Sequence, residues 1–446
     1  MRCGALLLIA ACACAADRDP AQTLARLRAI VLDQAKRIPN YACVQTIDRT
    51  VLRPAGKKPG SVGPCDQIAA LKQKGKYRPT PASAQRFRVE VREGPGVEMY
   101  AWVGARRFSD RPLNELLGPG AITTGDMGPI LTDAIEDAPE LKFEGAQTAS
   151  GRPAYAYSFD VPVDRSHHVF HTLGGADVAT AYRGTILVDP ETGTPLELSV
   201  LADELPPETN SCQFTAHLNY SPVAIGASSF LLPDKASQHL VTPGGVETEI
   251  AVGFSSCREY QAESTVSFGT EASPEPAAAP ASARTPEPTA APTAGAQNLD
   301  VPGGLDVAIA IDGPIDSDVA AAGDSFTGRL VKPLRDKSHI VYAPEGATVH
   351  GRVADVFFGL GASTVTALRL SVQSIEIGGR EYVIHLTGDP GGAAAGGPSV
   401  AATKLRMREA IIIGELPPDG YLVVRSLSKR CVIHNGDRTY WLTVRQ

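Results

Sequence analysis

Long hydrophobic segments are scarce in this chain of 446 residues. The longest apolar run is short and lies near the N-terminus, whereas a membrane-spanning helix needs about 20 consecutive apolar residues. A basic excess is also absent, because the formal net charge is −7 at pH 7. Nucleic-acid-binding proteins carry a positive surface, so we expect neither a transmembrane span nor a nucleic-acid partner.

The motifs that usually mark catalysis are missing as well. The sequence contains no C-x-x-C pair, no G-x-S-x-G elbow, no H-E-x-x-H helix and no G-x-x-x-x-G-K-[ST] loop. Acidic pairs are plentiful, but no motif singles out an acid and a base. We therefore predict a protein that is not an enzyme and needs no cofactor and no metal.

Glycine and proline are abundant, with 43 and 35 residues, and this favours a turn-rich and strand-rich protein. Phe87, Val89 and Val91 alternate with charged residues, as in a strand with one buried face. A turn at 189–193 separates two further alternating segments and predicts a hairpin. The sequence predicts a mainly β protein: a curved antiparallel half-barrel, followed by a small β-barrel or sandwich.

A helix precedes the strands. Asp19 and Pro20 suit an N-cap and the first helical position, and Leu27 and Val31 follow at helical spacing until Pro39. An amphipathic helix needs a surface to cover, so we expect it to pack on the sheet.

The composition predicts four segments: a signal peptide at 1–16, the half-barrel at 17–270, a linker at 271–297 and the second β domain at 298–446. The linker is rich in Ala, Pro and Thr. Because Pro-rich segments are extended, we expect the two domains to be tethered rather than packed together.

The first residues are typical of an export signal. A basic residue, a short apolar segment and an A-x-A ending predict cleavage near residue 16, and hence a location in the periplasm or outer envelope. Cys12 follows small residues, as in lipoprotein signals, so lipidation at Cys12 is the alternative.

Five cysteines follow the signal segment, and export favours their pairing. Cys43, Cys65, Cys212 and Cys257 allow three connectivities. We favour Cys43–Cys65 and Cys212–Cys257, because each pair flanks neighbouring segments. Cys431 is left as a free or buried thiol.

The segments NYACVQTIDR, VEMYAWVGARRFSD, FLLP and CREYQAESTVSF occur in an order that resembles a family of uncharacterised exported bacterial envelope proteins. The hairpin GTILVDPETGTPLEL after an N-terminal helix is similar to the lipoprotein-carrier half-barrels (LolA, LolB and RseB-like). These resemblances cover about residues 20–268. They imply a curved sheet covered by helices, with a hydrophobic or lipidated ligand held between the two.

A second resemblance covers about residues 300–390. AGDSF and YAPEGATVHGRV look like the β-barrel domain of TrbI-like components of secretion channels. This implies an alternative function, in which the chain is a structural or interaction module of an envelope or secretion-associated complex and binds an envelope protein.

Aromatic side chains supply the candidate ligand-binding residues Tyr100, Trp102, Tyr155 and Tyr157. These residues place apolar side chains on the second face of the sheet, which indicates that helices or a ligand cover that face. The alternative is that they pack in the core.

Two polar clusters could hold a metal ion. The first is 166–171 with its three histidines, for which a solvated loop is the alternative. The second comprises Asp312, Asp316, Asp318 and Asp324, for which turn formation is the alternative.

Overall fold

The computed structural model describes residues 19–55, 62–94, 97–105, 108–110, 113–117, 129–171, 177–260, 297–361, 364–388 and 420–445. The signal segment, Cys12 and nearly all of the linker lie outside these ranges. The signal peptide, the lipidation site and the domain boundaries therefore stay predictions.

The helices are α1 (Pro20–Arg37), α2 (Cys65–Gln73), α3 (Leu113–Leu117) and α4 (Ile130–Asp137), with a 3-10 turn at Pro207–Thr209. Within the described ranges, no helix combines the length and the apolar character that crossing a membrane requires.

Helix α1 is confirmed, with the expected start and stop. The Asp19 side chain accepts a hydrogen bond from the Ala21 amide at 3.0 Å and so caps the first turn. Leu27 and Val31 are buried in the core. The helix ends before Ile38, whose backbone is extended, as expected for a residue that precedes a proline.

Ten strands form the half-barrel in the order β3–β2–β1–β12–β11–β10–β9–β8–β5–β4, with every pair antiparallel. Two short strands, β6 and β7, pair separately. The bounds are β1 (Tyr41–Pro54), β2 (Pro79–Gly94), β3 (Val97–Trp102), β4 (Lys142–Ala149), β5 (Arg152–Val161), β6 (Val169–His171), β7 (Asp177–Ala179), β8 (Tyr182–Val188), β9 (Pro195–Ala202), β10 (Gln213–Ile225), β11 (Ser228–Val241) and β12 (Glu247–Glu259).

This sheet is open, because its end strands β3 and β4 do not pair with each other within the described residues. Side chains from α1, α3 and α4 join the main hydrophobic core of the sheet. The predicted half-barrel with an N-terminal helix is therefore confirmed. The predicted hairpin around 189–193 is β8–β9.

The four paired cysteines are the expected ones, but the favoured connectivity is wrong. The disulfides are Cys43–Cys257 and Cys65–Cys212. Strand β1 pairs with β12 along nearly its whole length, which brings Cys43 to Cys257 across 214 residues of sequence. Helix α2 carries Cys65 to the start of β10. Cys431 is buried and free, and burial raises the pKa of its thiol to about 11.

The second part of the chain is a small β-barrel, the first of the two folds, barrel or sandwich, that the sequence predicts. Its strands are β13 (Gln297–Asn298), β14 (Asp306–Asp312), β15 (Ile315–Asp316), β16 (Ser325–Leu330), β17 (Leu334–Arg335), β18 (Val341–Ala343), β19 (Thr348–Gly359), β20 (Val365–Ile377), β21 (Arg380–Val383), β22 (Leu386–Gly388), β23 (Leu422–Ser426), β24 (Val432–Ile433) and β25 (Arg438–Thr443).

Seven of these strands run in the order β23–β20–β19–β16–β14–β25–β22. The two ends of the series meet where the Gly388 amide donates to the Tyr421 carbonyl at 3.1 Å. Trp441, Ile309 and Leu368 are fully buried inside. This second core is separate from that of the half-barrel.

The two β units pack against each other, so the expectation that they are only tethered is wrong. Strand β3 pairs with β2 only from Val89 onward, and the second part of the chain fills the rest of that edge. Strand β19 pairs with residues 83–85 of β2. The Ala322 amide donates to the Arg86 carbonyl at 2.9 Å, and the Ala322 carbonyl accepts from the Arg88 amide at 2.7 Å. An uncovered strand edge is prone to pair with other chains, and here the second β unit covers the free edge of β2.

Side chains reinforce this junction, which we define as the contact of β2 with residues 318–324 and β19. The Arg88 guanidinium binds both carboxylate oxygens of Asp324, at 2.5 and 2.6 Å. The Gln85 amide donates to the buried Asp355 carboxylate at 3.0 Å. Gly323 lies so close that a Cβ there would be 2.6 Å from the Trp102 ring.

Candidate ligand-binding site

A cavity of about 420 Å³ lies beneath the second half of α1. Helix α1, the start of α4 and strands β1, β9, β10 and β11 line it, and it opens to solvent on one side. Its wall is mostly apolar and includes Ile30, Val31, Ile38, Leu131, Leu231 and Leu232. The volume falls within the range of about 300–1,000 Å³ that is typical of small-molecule sites. We call this space the apolar cavity.

Helix α1 is fixed over the sheet at both ends. Near its start, the Tyr157 hydroxyl donates to the Pro20 carbonyl at 2.7 Å. Near its end, the Gln34 side chain forms two hydrogen bonds with the Leu231 backbone, donating at 2.6 Å and accepting at 2.7 Å. Because both bonds join the helix to β11 at the cavity wall, they set how far α1 stands from the sheet.

Tyr220 is a buried residue with a polar group in the otherwise mostly apolar wall of the cavity. It follows Phe214, Ala216 and Leu218 on the core face of β10, and its side chain is buried. Its hydroxyl has no hydrogen-bond partner among the described residues. Burial raises the pKa of Tyr220, so the hydroxyl keeps its proton and can donate a hydrogen bond.

Tyr220 also lines a second cavity, of about 290 Å³, with a different wall. We call it the polar cavity. Its lining includes Ser150, Arg152, Glu197, Asn219, Asp234 and Lys235. The two cavities therefore adjoin at a single tyrosine, one with apolar walls and the other with charged ones.

The four aromatic residues suggested by the sequence do not line the apolar cavity. Tyr100, Tyr155 and Tyr157 are buried in the half-barrel core. Trp102 is partly buried and packs against Gly323 at the junction. Their role in ligand binding stays a prediction, and the alternation that singled them out is accounted for by packing.

The histidine segment is only partly solvated. His167 is exposed, and its Nδ1 lies 2.7 Å from the buried Asp137 carboxylate, whose hydrogen bond and charge raise the pKa of His167. His168 instead packs among Phe170, Tyr182 and Phe214, and burial lowers its pKa to about 4. The side chain of His171 lies outside the described residues.

The four aspartates of the acidic cluster form ion pairs with arginines. Asp316 and Asp318 face Arg430, Asp312 faces Arg329, and Asp324 faces Arg88. Among the described residues, no group of three or more His, Cys, Asp and Glu side chains is arranged to hold a metal ion.

Sequence reasoning missed Tyr220, although part of the signal was present. The alternation from Phe214 to Tyr220 places this tyrosine on the buried face. Its buried and unpaired hydroxyl depends on the way β9, β10 and β11 pair, which one strand cannot reveal.

Comparisons with known proteins give structural likenesses only. No family model matches the chain, and no curated protein matches it. A LolA superfamily protein from Nitrosomonas europaea aligns over 54% of this chain and 93% of its own, with 8% identity and a TM-score of 0.25.

Two further solved structures align with a similar share of the chain. The lipoprotein LppX of Mycobacterium tuberculosis covers 53% of this chain and 95% of its own, with 12% identity and a TM-score of 0.20. The MucA/MucB complex of Pseudomonas aeruginosa covers 54% and 99%, with 13% identity and a TM-score of 0.17. Because these TM-scores are low, the description of the fold depends on the observed strand order and core and not on these likenesses.

Proposed function

We propose that the half-barrel binds the hydrocarbon chain of an amphiphile or of a lipidated protein in the apolar cavity. One observation carries the proposal: an apolar space of about 420 Å³ persists between α1 and the sheet, although both surfaces are hydrophobic. Protein interiors are normally close-packed, so an apolar space of this size favours a ligand. A hydrocarbon chain gains about 0.8 kcal/mol for each methylene that it buries.

Two further features support a carrier outside the cytoplasm. The two disulfides are typical of an oxidising compartment. The wall of the cavity offers mainly nonpolar van der Waals contacts, which suit a flexible hydrocarbon chain better than a polar metabolite. We infer a binding protein of the cell envelope, with an acyl-bearing ligand.

Blocking the cavity tests this proposal. Ala35 is an exposed, small residue of α1 that lines the cavity, whereas Ala29 is an exposed residue of the same helix that does not. We expect Ala35→Trp to weaken binding of the uncharged fluorophore N-phenyl-1-naphthylamine by at least about tenfold, and Ala29→Trp to leave it unchanged. The full chain is used, produced under oxidising conditions. Equal binding by both variants would show that the probe, and hence the ligand, does not occupy this cavity.

The alternative, an interaction module of an envelope complex, stays a prediction. The resemblance of residues 300–390 to TrbI-like β-barrel domains implies it, and a freely tethered second domain would favour it. Because the junction fixes that domain on the edge of β2, the tether no longer argues for an independent docking role.

A further inference from the structure

Two exposed leucines lie in loops of the small barrel. Leu427, between β23 and β24, is 89% exposed, and Leu360, directly after β19, is 43% exposed. Single exposed leucines are common on protein surfaces, whereas apolar groups that are close together and rimmed by polar residues mark interaction sites. The surroundings of these two leucines therefore decide whether they form a site.

Strand pairing places the two loops side by side. Strand β19 ends where Gly359 pairs with Val365 at the start of β20. Strand β23 ends where Ser426 pairs with Thr366, also at the start of β20. The chain thus leaves β19 and β23 at the same end of the barrel, with only β20 between them. Neighbouring strands are about 4.8 Å apart, so the two loops leave the sheet roughly 10 Å apart.

The junction extends this row of strand ends into the half-barrel. The Leu360 amide donates to the Ala82 carbonyl of β2 at 2.9 Å. Two residues nearer the start of β2, Thr80 pairs with Arg53 at the end of β1. The ends of β1, β19 and β23 and the starts of β2 and β20 therefore lie together, in the order β1–β2–β19–β20–β23.

Exposed cations accompany the leucines at these strand ends, and none of them forms an ion pair within the described part of the chain. They are Arg53 in β1, Lys74, Lys76 and Arg78 between α2 and β2, and Lys429 beside Leu427.

Acidic side chains nearby do not neutralise these cations. Glu247, which pairs with Leu52 in the sheet, is buried and already bonded to Lys72 and His239. Glu249 is exposed but lies two residues farther from the strand ends. The chain as a whole has a net charge of −7, so this end differs in sign from the rest. We call the five cations and two leucines the basic end.

We propose that the basic end docks on a membrane surface that contains anionic phospholipids. The cations contact the lipid phosphates, and the two leucines enter the boundary between the headgroups and the acyl chains. A soluble polyanion would satisfy the cations but leave the leucines in water, so the combination favours a bilayer. Each Lys or Arg near an anionic surface strengthens binding by about fivefold, and inserted apolar side chains add to this.

The basic end and the apolar cavity lie at opposite ends of β1. Tyr41, the first residue of this strand, lines the cavity, whereas Arg53 lies near its last residue. At about 3.3 Å per residue the two are up to roughly 40 Å apart. Docking therefore leaves the cavity away from the bilayer, and this inference does not rest on the proposed function.

Vesicle flotation tests the inference. The chain from residue 17 onward, which retains every described residue, is mixed with vesicles of phosphatidylcholine alone or of equal parts phosphatidylcholine and phosphatidylglycerol. The fraction that floats gives the partition coefficient. We expect at least about tenfold stronger partitioning into the anionic vesicles at about 0.1 M salt, and loss of most of this difference at about 0.5 M salt.

Matched variants separate the basic end from other exposed surfaces. Leu427→Ser should lower partitioning into the anionic vesicles by about fivefold, and Lys76→Gln combined with Arg78→Gln should lower it by at least about tenfold. Val163→Ser changes a 55% exposed residue of the half-barrel, and Lys337→Gln removes an exposed cation of the β17–β18 hairpin. Both controls should partition like the unchanged chain.

The outcomes decide between partners. Equal partitioning into the two kinds of vesicle would overturn the inference, and so would anionic binding that the controls weaken as much as the basic-end variants do. Salt-sensitive binding that needs the cations but not Leu427 would indicate a soluble polyanion instead of a bilayer, and the inference would be wrong. The basic-end variants should bind N-phenyl-1-naphthylamine like the unchanged chain. If Ala35→Trp leaves fluorophore binding unchanged, the proposed function fails while this inference stands.

Discussion

The half-barrel meets the second β unit at the junction and faces helix α1 across the apolar cavity, and the two regions differ in chemistry. At the junction, backbone groups of β2 pair with β19 and Ala322, and arginines form ion pairs with carboxylates. At the cavity, apolar side chains of α1 and the sheet face each other across open space.

This difference suggests that the junction contributes to stability and the cavity to ligand binding. Directional bonds at the junction need fixed partners, and the chain itself supplies them. The cavity wall is mostly apolar, so substitutions there should disturb few directional contacts of the fold. We expect changes at the junction to alter stability and changes at the cavity to alter binding.

The largest expected effect is at Gly323. Its φ is +107°, and a Cβ would lie 2.2 Å from the Arg88 carbonyl oxygen. Gly323→Ala should therefore lower the free energy of unfolding by about 2–4 kcal/mol, measured by urea titration. Gly346 has a φ of +79° but nothing within 4 Å, so Gly346→Ala should cost only about 1 kcal/mol.

Fluorophore binding by folded Gly323→Ala should match the wild type. Equal losses for the two glycine variants would indicate that the junction is loosely packed.

A smaller effect is expected from the Arg88–Asp324 ion pair. Its side chains are 28% and 24% exposed, whereas those of the Arg37–Asp33 pair on α1 are 63% and 59% exposed. A double-mutant cycle with Arg88→Gln and Asp324→Asn should give a coupling of about 1–2 kcal/mol, against about 0.3–0.5 kcal/mol for the helix pair. Couplings of the same size would contradict a special role for the junction pair.

The smallest expected effect is the pH dependence at Asp355. Burial raises the pKa of this carboxyl, and Arg369, Gln85 and Arg49 offset the rise only in part. Its protonated form thus favours the folded state: the stabilisation is complete below the unfolded pKa of about 3.8 and is lost as the pH rises through the folded pKa.

Asp355→Asn lacks this loss, so its stability relative to the wild type should grow between pH 4 and pH 7 in urea titrations. A difference that shrinks over this range would reverse the sign of the assigned pKa shift.

Local patterns in the sequence predicted local structure well. Asp19 and Pro20 marked the start of α1, and the turn at 189–193 marked the β8–β9 hairpin. Each of these depends on a few adjacent residues.

Features that join distant segments could not be predicted in the same way. The disulfides and the junction depend on which strands become neighbours, and one sequence does not specify this. The candidate site has the same character, because the wall of the apolar cavity combines α1, α4, β10 and β11.

The pairing of β1 with β12 has a consequence for biogenesis. Cys43 and Cys257 are separated by 214 residues, and at about 5–20 residues per second the ribosome needs roughly 10–40 s to make that length. Until then β1 has no partner on one side, and its exposed edge is open to pairing with other chains. Folding of the half-barrel therefore waits for β12, because only this late strand covers that edge of β1 among the described residues.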